Sequence, residues 1–507
     1  FEKIELIDDN DATADTVTIT TSAGTVADGA SFTIDGSGLT TDDISVDISA
    51  DTDGINTVKG GASADAITAS TSDQGDILEG GAGNDTFTFT HASLTSADTV
   101  AGGTGTDTLT ISDASSSTAK VVDADFTNFT GVETISHGNA NSDITLGSLA
   151  QAAGIVTLTG GTGTNTVTVG SGYTADLGIT GILNGEDQIT ATSYTGTLTY
   201  TADIDAIANT DTVTAGSGNS DTITIGFDSG SGSLGSGDLI NFTNFEKITL
   251  SDDAAYNITL HENVVADGKT VTVDASKIVT TNILTFSAVN ETDGAIDLTV
   301  AGSAAHSITL GNGNDKYTST SSGADAVTAT GGNNTISTGD GADVITAGTG
   351  DDNISGQGGA DVFNFANANL NSADTISGGA GDDEINMTDD SVVVDSDFTN
   401  VTSVKTLTTD SDVASGALNL TVTLGANAAD SGLSQVTLVD TGAANTVTVG
   451  SGFDENVTVT LSADTSAGDT VTASSYTKTL TVKAADTSVD DATNVNTLTG
   501  NASAGTE

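Results

Sequence analysis

The sequence predicts an all-β protein: a parallel β-roll or β-helix, that is, a β-solenoid, organised as two large internal repeats. Three observations carry this. A nine-residue period runs through residues 320–364, the second half of the chain restates the first, and the composition is that of strands and tight turns. Thr, Ser, Val and Ile abound and proline is absent, while 61 glycines are spread over 507 residues. β-Branched residues suit a pleated surface, and glycine suits the sharp bends between short strands.

The nine-residue units read TSSGADAVT, ATGGNNTIS, TGDGADVIT, AGTGDDNIS and GQGGADVFN. Each has glycine at its fourth position, including Gly323, Gly341 and Gly359, and each has Asp325, Asn334, Asp343, Asp352 or Asp361 at its sixth. The eighth is always apolar: Val327, Ile336, Ile345, Ile354 and Phe363. Six residues of this kind turn sharply, and the three around the apolar position make a short strand with one side chain pointing inward. If successive turns fall on opposite edges of a flattened coil, one circuit takes eighteen residues. Asp325, Asp343 and Asp361 then stack on one edge, and Asn334 and Asp352 on the other. A solvated linker gives no reason for the apolar register to be kept five times.

The pattern resembles the repeats-in-toxin (RTX) calcium-binding nonapeptide, G-G-x-G-x-D-x-U-x, whose repeats form a parallel β-roll. Stacked turns of this kind can surround Ca2+, a hard cation that takes roughly six to eight oxygens. The candidate metal ligands are the five sixth-position residues with Asp340 and Asp351 beside them, and Asp315 in the preceding segment. Related units place Asp65, Asp76, Asp85 and Asp107 in the first half, and Asp382 and Asp383 in the second. GGAGNDTFT at 80–88 and GGTGTDTLT at 102–110 match fully, GGASADAIT at 60–68 has Ser63 for a glycine, and TSDQGDILE at 71–79 is weaker. GGTGTNTVT at 160–168, with Asn165 for the aspartate, and GSGNSDTIT at 216–224 read as ordinary glycine turns. Asp85 and Asp107 lie twenty-two apart, one circuit plus a four-residue bulge around 91–97 that is expected to protrude while the turns still stack.

The halves correspond closely. FEKITLSDDA at 245–254 restates FEKIELIDDN at 1–10, residues 357–386 restate 79–110, and DSDFTNVTSVKTL at 395–407 restates DADFTNFTGVETI at 123–135. The expected division is 1–244, with RTX turns near 60–110, and 245–507, with RTX turns near 310–386. A Thr/Val-rich section follows the turns in each, forming further solenoid or small sandwich layers. The roll sections are expected to be right-handed. The terminal NTLTGNAS resembles NTVKGGAS at 56–63, as if a further block began there, and the chain reads as a segment of a larger polypeptide. GSLAQAAG at 147–154 could make a helical turn or an edge loop. Phe126, Phe129, Phe242, Phe245 and Phe398 read as core anchors.

Charge narrows the function. Seventy acidic residues face ten lysines and no arginine, a net −60. That excludes the positive patches that nucleic acid and anionic lipid require, and a chain so charged needs cations to stay compact. No apolar run is long enough to span a membrane, so no membrane insertion is expected. Cysteine is absent, so no disulfide staples the fold. Neither an HExxH pair nor a GxSxG elbow accompanies the four histidines, His91, His137, His261 and His306, and no catalysis is expected. Together with the ADFTNFTGVETI block, the nonapeptides also resemble large bacterial RTX surface and S-layer proteins. That resemblance implies calcium-dependent folding, type I secretion and an extracellular or cell-surface location. The expected role is a calcium-assembled structural subunit of a surface layer or filament, with other copies of itself as partner. A cell-surface glycan is a further candidate partner. The alternatives are an RTX adhesin stalk and the calcium-binding domain of a type I-secreted hydrolase.

Overall fold

The computed structural model describes residues 2–8, 14–72, 74–113, 120–137, 141–161, 163–181, 186–218, 220–227, 231–367, 369–409, 419–439, 444–461, 468–484 and 497–500. The fold is a parallel β-solenoid of about 19 turns with almost no helix. It divides into one unit of residues 1–228 and 237–249 and a second of residues 229–236 and 250–507.

Within each unit, strands alternate between two sheets, and nearly every strand pairs in parallel with the strand two places along. In the first unit, Ala66–Thr68, Thr86–Phe89, Thr108–Ile111 and Thr134–His137 follow one another on one sheet. Ile55–Lys59, Ile77–Ala82 and Thr99–Thr104 do so on the other. In the second unit, Ala326–Thr328, Val344–Thr346, Val362–Phe365 and Glu384–Met387 form one ladder. Thr335–Ser337, Asn353–Ser355 and Thr375–Ser377 form part of the facing one. The eighteen-residue circuit is therefore the register itself: Val327 pairs with Ile345, and Ile345 with Phe363.

These strands are short because a glycine turn interrupts them every nine residues. Their central side chains are the core: Val327, Ile336, Ile345, Ile354 and Phe363 are all buried. Each such burial contributes about 1.5–3 kcal/mol. One inward side chain per strand, repeated along the coil, replaces a globular interior. The Thr/Val-rich sections are solenoid too, not sandwich layers. Val457–Leu461 alternates buried and half-buried residues and pairs in parallel with Leu480–Ala484.

The twenty-two-residue circuit keeps its register, with Thr86 opposite Thr108. The bulge does not simply protrude: His91, Ser93 and Leu94 are buried, so its stem packs inward. The GSLAQAAG stretch forms the helix Ser148–Ala153, and a second helix, Ala426–Asp430, has no counterpart in the sequence reading. Asp123 explains the first, because its carboxylate accepts the amides of Gly147 (2.8 Å) and Ala150 (2.9 Å). Asp395 caps the second through Gly425 (2.7 Å) and Ala428 (3.0 Å). The repeated DxDF block is thus a helix-capping device, and its phenylalanines are buried. The NASAGTE end lies outside the described residues.

Candidate metal centre

The sixth-position residues form hydrogen-bonded columns. In each, one carboxylate oxygen accepts the backbone N–H of the equivalent residue on the preceding coil. In the second unit Asp325, Asp343 and Asp361 donate in turn to Oδ1 of Asp343, Asp361 and Asp383, at 2.7, 2.9 and 2.9 Å. On the opposite edge Asp315, Asn334 and Asp352 donate to Asn334, Asp352 and Asp374, at 3.0, 2.8 and 2.9 Å. In the first unit Asp65 and Asp85 donate to Asp85 and Asp107, both at 2.8 Å, and Asp107 to Oε2 of Glu133 at 2.8 Å. Asp76 donates to Asp98 at 2.8 Å.

The second oxygen divides the columns in two. In Asp85, Asp107, Asp315, Asp343, Asp352, Asp361 and Asp383, Oδ2 is buried and has no hydrogen-bond partner among the described residues. The Thr338 hydroxyl, which donates to the Gly356 carbonyl (3.3 Å), and the Gly311 amide lie beside Asp343 and Asp315 and offset part of the cost of burying them. In the remaining turns the protein closes the gap itself. Asp65 accepts the Gly61 amide (2.7 Å), Asp76 the Ser70 amide (2.8 Å), and Asp325 the Tyr317 hydroxyl (2.9 Å). Asp98 and Asp374 accept amides three residues upstream, from Thr95 and Asn371, at 2.8 Å each. Asn334 donates from Nδ2 to the carbonyls of Gly331 (3.2 Å) and Gly332 (3.1 Å) and to Oδ1 of Asp352 (3.1 Å).

An unpaired buried carboxylate oxygen is costly, and its charge state shows the strain. Burial, with the stacked carboxylates adding to it, pushes Asp85 and Asp343 up to about 7. Asp315, Asp352 and Asp361 rise to about 6 for the same first reason. Leu310, Thr338 and Ala347 stand at the first position before Asp315, Asp343 and Asp352, whereas in the other four of the seven turns a glycine there makes room for Oδ2. A Cβ at Gly80, Gly102, Gly356 or Gly378 would lie 2.1, 2.4, 2.1 or 2.4 Å from it. At the fourth position Gly359 has φ +141°, and a Cβ there would meet the Gly341 carbonyl at 1.3 Å. Gly341 is likewise at positive φ, +136°, whereas Gly323 is not and is needed for its approach to the Ala304 carbonyl, 2.0 Å from a Cβ.

The open turns therefore present a hard anionic oxygen beside turn backbone, at Asp85, Asp107, Asp361 and Asp383 in a space that a side chain would fill, and this fits Ca2+. No group of three or more acidic or histidine side chains converges among the described residues, so backbone carbonyls would supply the remaining ligands. Asp340, Asp351 and Asp382 are exposed on the flank of the columns, and Asp382 pairs with Lys405 at 2.7 Å. The sequence reading missed Asp98 and Asp374, although each follows a column aspartate by twenty-two residues. It also missed His306, which heads the Asp325 column. Its Nδ1 accepts the Leu284 amide (3.0 Å), and its own amide donates to Asp325 (2.8 Å).

Comparison with known proteins agrees with this geometry. The family model described as RTX calcium-binding nonapeptide repeat (4 copies) matches residues 50–87, 95–110, 319–354, 328–363 and 370–386. No curated protein and no solved structure matches the chain. The chain carries RTX calcium-binding repeats on a parallel β-solenoid.

Proposed function

We propose that the protein is a secreted structural subunit of a bacterial surface layer or extracellular filament, folded and assembled with calcium. The observation that carries this is the column of buried carboxylates whose second oxygen has no hydrogen-bond partner among the described residues. Neighbouring coils lie about 4.8 Å apart. Two ionised carboxylates at such a spacing repel by roughly 3 kcal/mol at an effective dielectric constant of about 20. Bound calcium supplies the positive charge that cancels this repulsion. Without it, the open turns favour an unfolded chain, which suits export through a type I system from a calcium-poor interior. In a calcium-rich exterior the Oδ1 ladders close and the apolar strands register.

Assembly follows from the same charge. A net −60 keeps copies apart, and calcium at exposed carboxylates such as Asp340 and Asp351 lets acidic faces approach. The partner is another copy of the chain, and catalysis has no part in this reading. No helix among the described residues is long and apolar enough to cross a membrane. The test is negative-stain microscopy with circular dichroism through a calcium titration. Ordered sheets or filaments that appear with the β signal and vanish with chelator support the reading. A protein that folds with calcium but stays monomeric defeats it and favours an adhesin stalk.

A further inference from the structure

The two units end their calcium columns on residues of opposite charge. The last aspartate of the column through Asp85 is Asp107, and that of the column through Asp361 is Asp383. On the following coil Glu133 and Lys405 occupy the same place. Each donates its amide to the carbonyl of that last aspartate, at 3.1 and 2.9 Å, and the next residue, Thr134 or Thr406, does so at 3.0 and 3.1 Å. Two residues earlier, Gly131 and Ser403 both take left-handed backbone, with φ of +63° and +56°. A serine holds that strained conformation only where its surroundings impose it. The same small space results in both units. A Cβ on Gly102 or Gly378 would lie 1.8 or 2.1 Å from the Gly131 or Ser403 carbonyl oxygen, and 2.4 Å from Oδ2 of Asp107 or Asp383. Both Oδ2 atoms are buried without a hydrogen-bond partner among the described residues. Residues 131–133 and 403–405 lie outside the segments that match the nonapeptide family.

What differs is the side chain that closes the column. Oε2 of Glu133 accepts the Asp107 amide (2.8 Å), as each column aspartate does for the coil before it. Burial first, and then the Glu133 charge, raise the Asp107 carboxyl above its ordinary range. Lysine has three donors and no acceptor, so Lys405 has nothing to offer the Asp383 amide. Its Nζ pairs instead with Asp382 at 2.7 Å, where the first unit has the uncharged Thr106. A place that holds a carboxylate in one unit thus holds an ammonium in the other.

We propose that the residue in this place sets the calcium affinity of the last turn: Glu133 makes the 102–107 turn a tight site, and Lys405 makes the 378–383 turn a weak one. The inference rests on calcium binding at the open turns. The Glu133 anion favours a divalent cation in the space between Oδ2 of Asp107 and the Gly131 carbonyl, and its clasp on the Asp107 amide keeps that turn in shape. Calcium sites are tuned over several decades by the count of charged ligands. At the 378–383 turn the tethered ammonium repels Ca2+ and engages Asp382. Glu133 and Lys405 therefore act as positioning residues of opposite effect. Charge and clasp are separable, as a third copy of the block shows. Glu246 clasps the Asp221 amide (2.9 Å), but there both carboxylate oxygens of Asp221 are already answered, by the Leu198 (2.7 Å) and Gly216 (3.1 Å) amides.

The test is hydrogen–deuterium exchange of the full chain, read by mass spectrometry across a series of buffered Ca2+ concentrations. In the wild type the segment 102–107 should become protected at about 10–100-fold lower Ca2+ than 378–383. Glu133→Gln, whose amide oxygen still accepts the Asp107 amide, should move the first midpoint up. Lys405→Glu should move the second midpoint down, a gain that a merely structural role does not provide. Midpoints unmoved in both variants overturn the inference. If the wild type still gains protection with Ca2+, calcium binding at the open turns survives that result, and if it gains none, both readings fall. Should Lys405→Glu fail to fold, Glu133→Gln decides alone, and an unmoved first midpoint then reduces Glu133 to its clasp and refutes the charge effect.

Discussion

Asp361→Asn separates the two states of the protein more sharply than any other single change. Asp361 holds the Asp343 amide with Oδ1 (2.9 Å) while Oδ2 lies buried and unpartnered against Gly356. Asn334 shows what an amide does at the same position. It keeps the Oδ1 bond and turns Nδ2 onto carbonyls two and three residues upstream. In Asp361→Asn the corresponding carbonyls belong to Gly358 and Gly359. Without calcium, the variant trades an unsatisfied buried anion for a satisfied amide and should be stabilised by about 1–3 kcal/mol. With calcium at about a hundred times its dissociation constant, losing one site forfeits about 2.7 kcal/mol. The substitution therefore changes sign with the metal. Guanidinium midpoints followed by far-ultraviolet circular dichroism, in chelator and in saturating Ca2+, measure both arms. A variant less stable than wild type in chelator would show that Oδ2 is not an unpaired charge awaiting a cation.

Asn334→Asp is the converse and should add one bound Ca2+ by calorimetry while destabilising the chelated protein. The pH dependence of the calcium-free protein should be inverted relative to ordinary acid denaturation. Among its open carboxyls, burial pushes Asp85, Asp343, Asp352 and Asp361 up to about 6 or 7 in the fold, from an ordinary 3.8, so they bind protons more tightly folded than unfolded. That contribution is complete below about pH 4 and is lost as the pH rises towards 7. Chelated protein should therefore show more β signal at pH 5 than at pH 8, and the opposite ordering would remove the carboxylates as its cause. Gly359→Ala forces a Cβ into the Gly341 carbonyl at positive φ. It should cost at least about 3 kcal/mol even in calcium, and an unchanged thermal midpoint would contradict the stacking.

Much of the site is visible in the sequence because its constraints are local. A glycine that must reach positive φ or pass close to the neighbouring coil, an oxygen-bearing side chain two residues later and an apolar residue two further on recur at fixed offsets, and eighteen residues follow as the register. What the sequence conceals is how the second oxygen is answered. Asp325 and Asp343 have the same spacing and nearly the same neighbours, but only Asp325 meets a tyrosine hydroxyl, contributed by Tyr317 eight residues upstream. Such closure depends on which side chain the adjacent turn sends inward, and no offset encodes it. The helix Ala426–Asp430 is hidden for the same reason, since its cap, Asp395, comes from thirty residues earlier. The Thr/Val-rich sections lack glycine at fixed offsets, so period-two alternation reveals strands without revealing which sheet each joins.

The twenty-two-residue circuits measure length differently from the eighteen-residue ones. Asp85 reaches Asp107 and Asp361 reaches Asp383 with bonds of 2.8 and 2.9 Å, matching the 2.9 Å from Asp343 to Asp361 four residues sooner. The coil thus counts aspartates, and the residues between them are slack. Added chain leaves at one corner and returns without disturbing the column, at a closure cost that grows only logarithmically with length. A lineage, or an engineer, can hang new surface on that corner while the axial spacing of the scaffold stays constant.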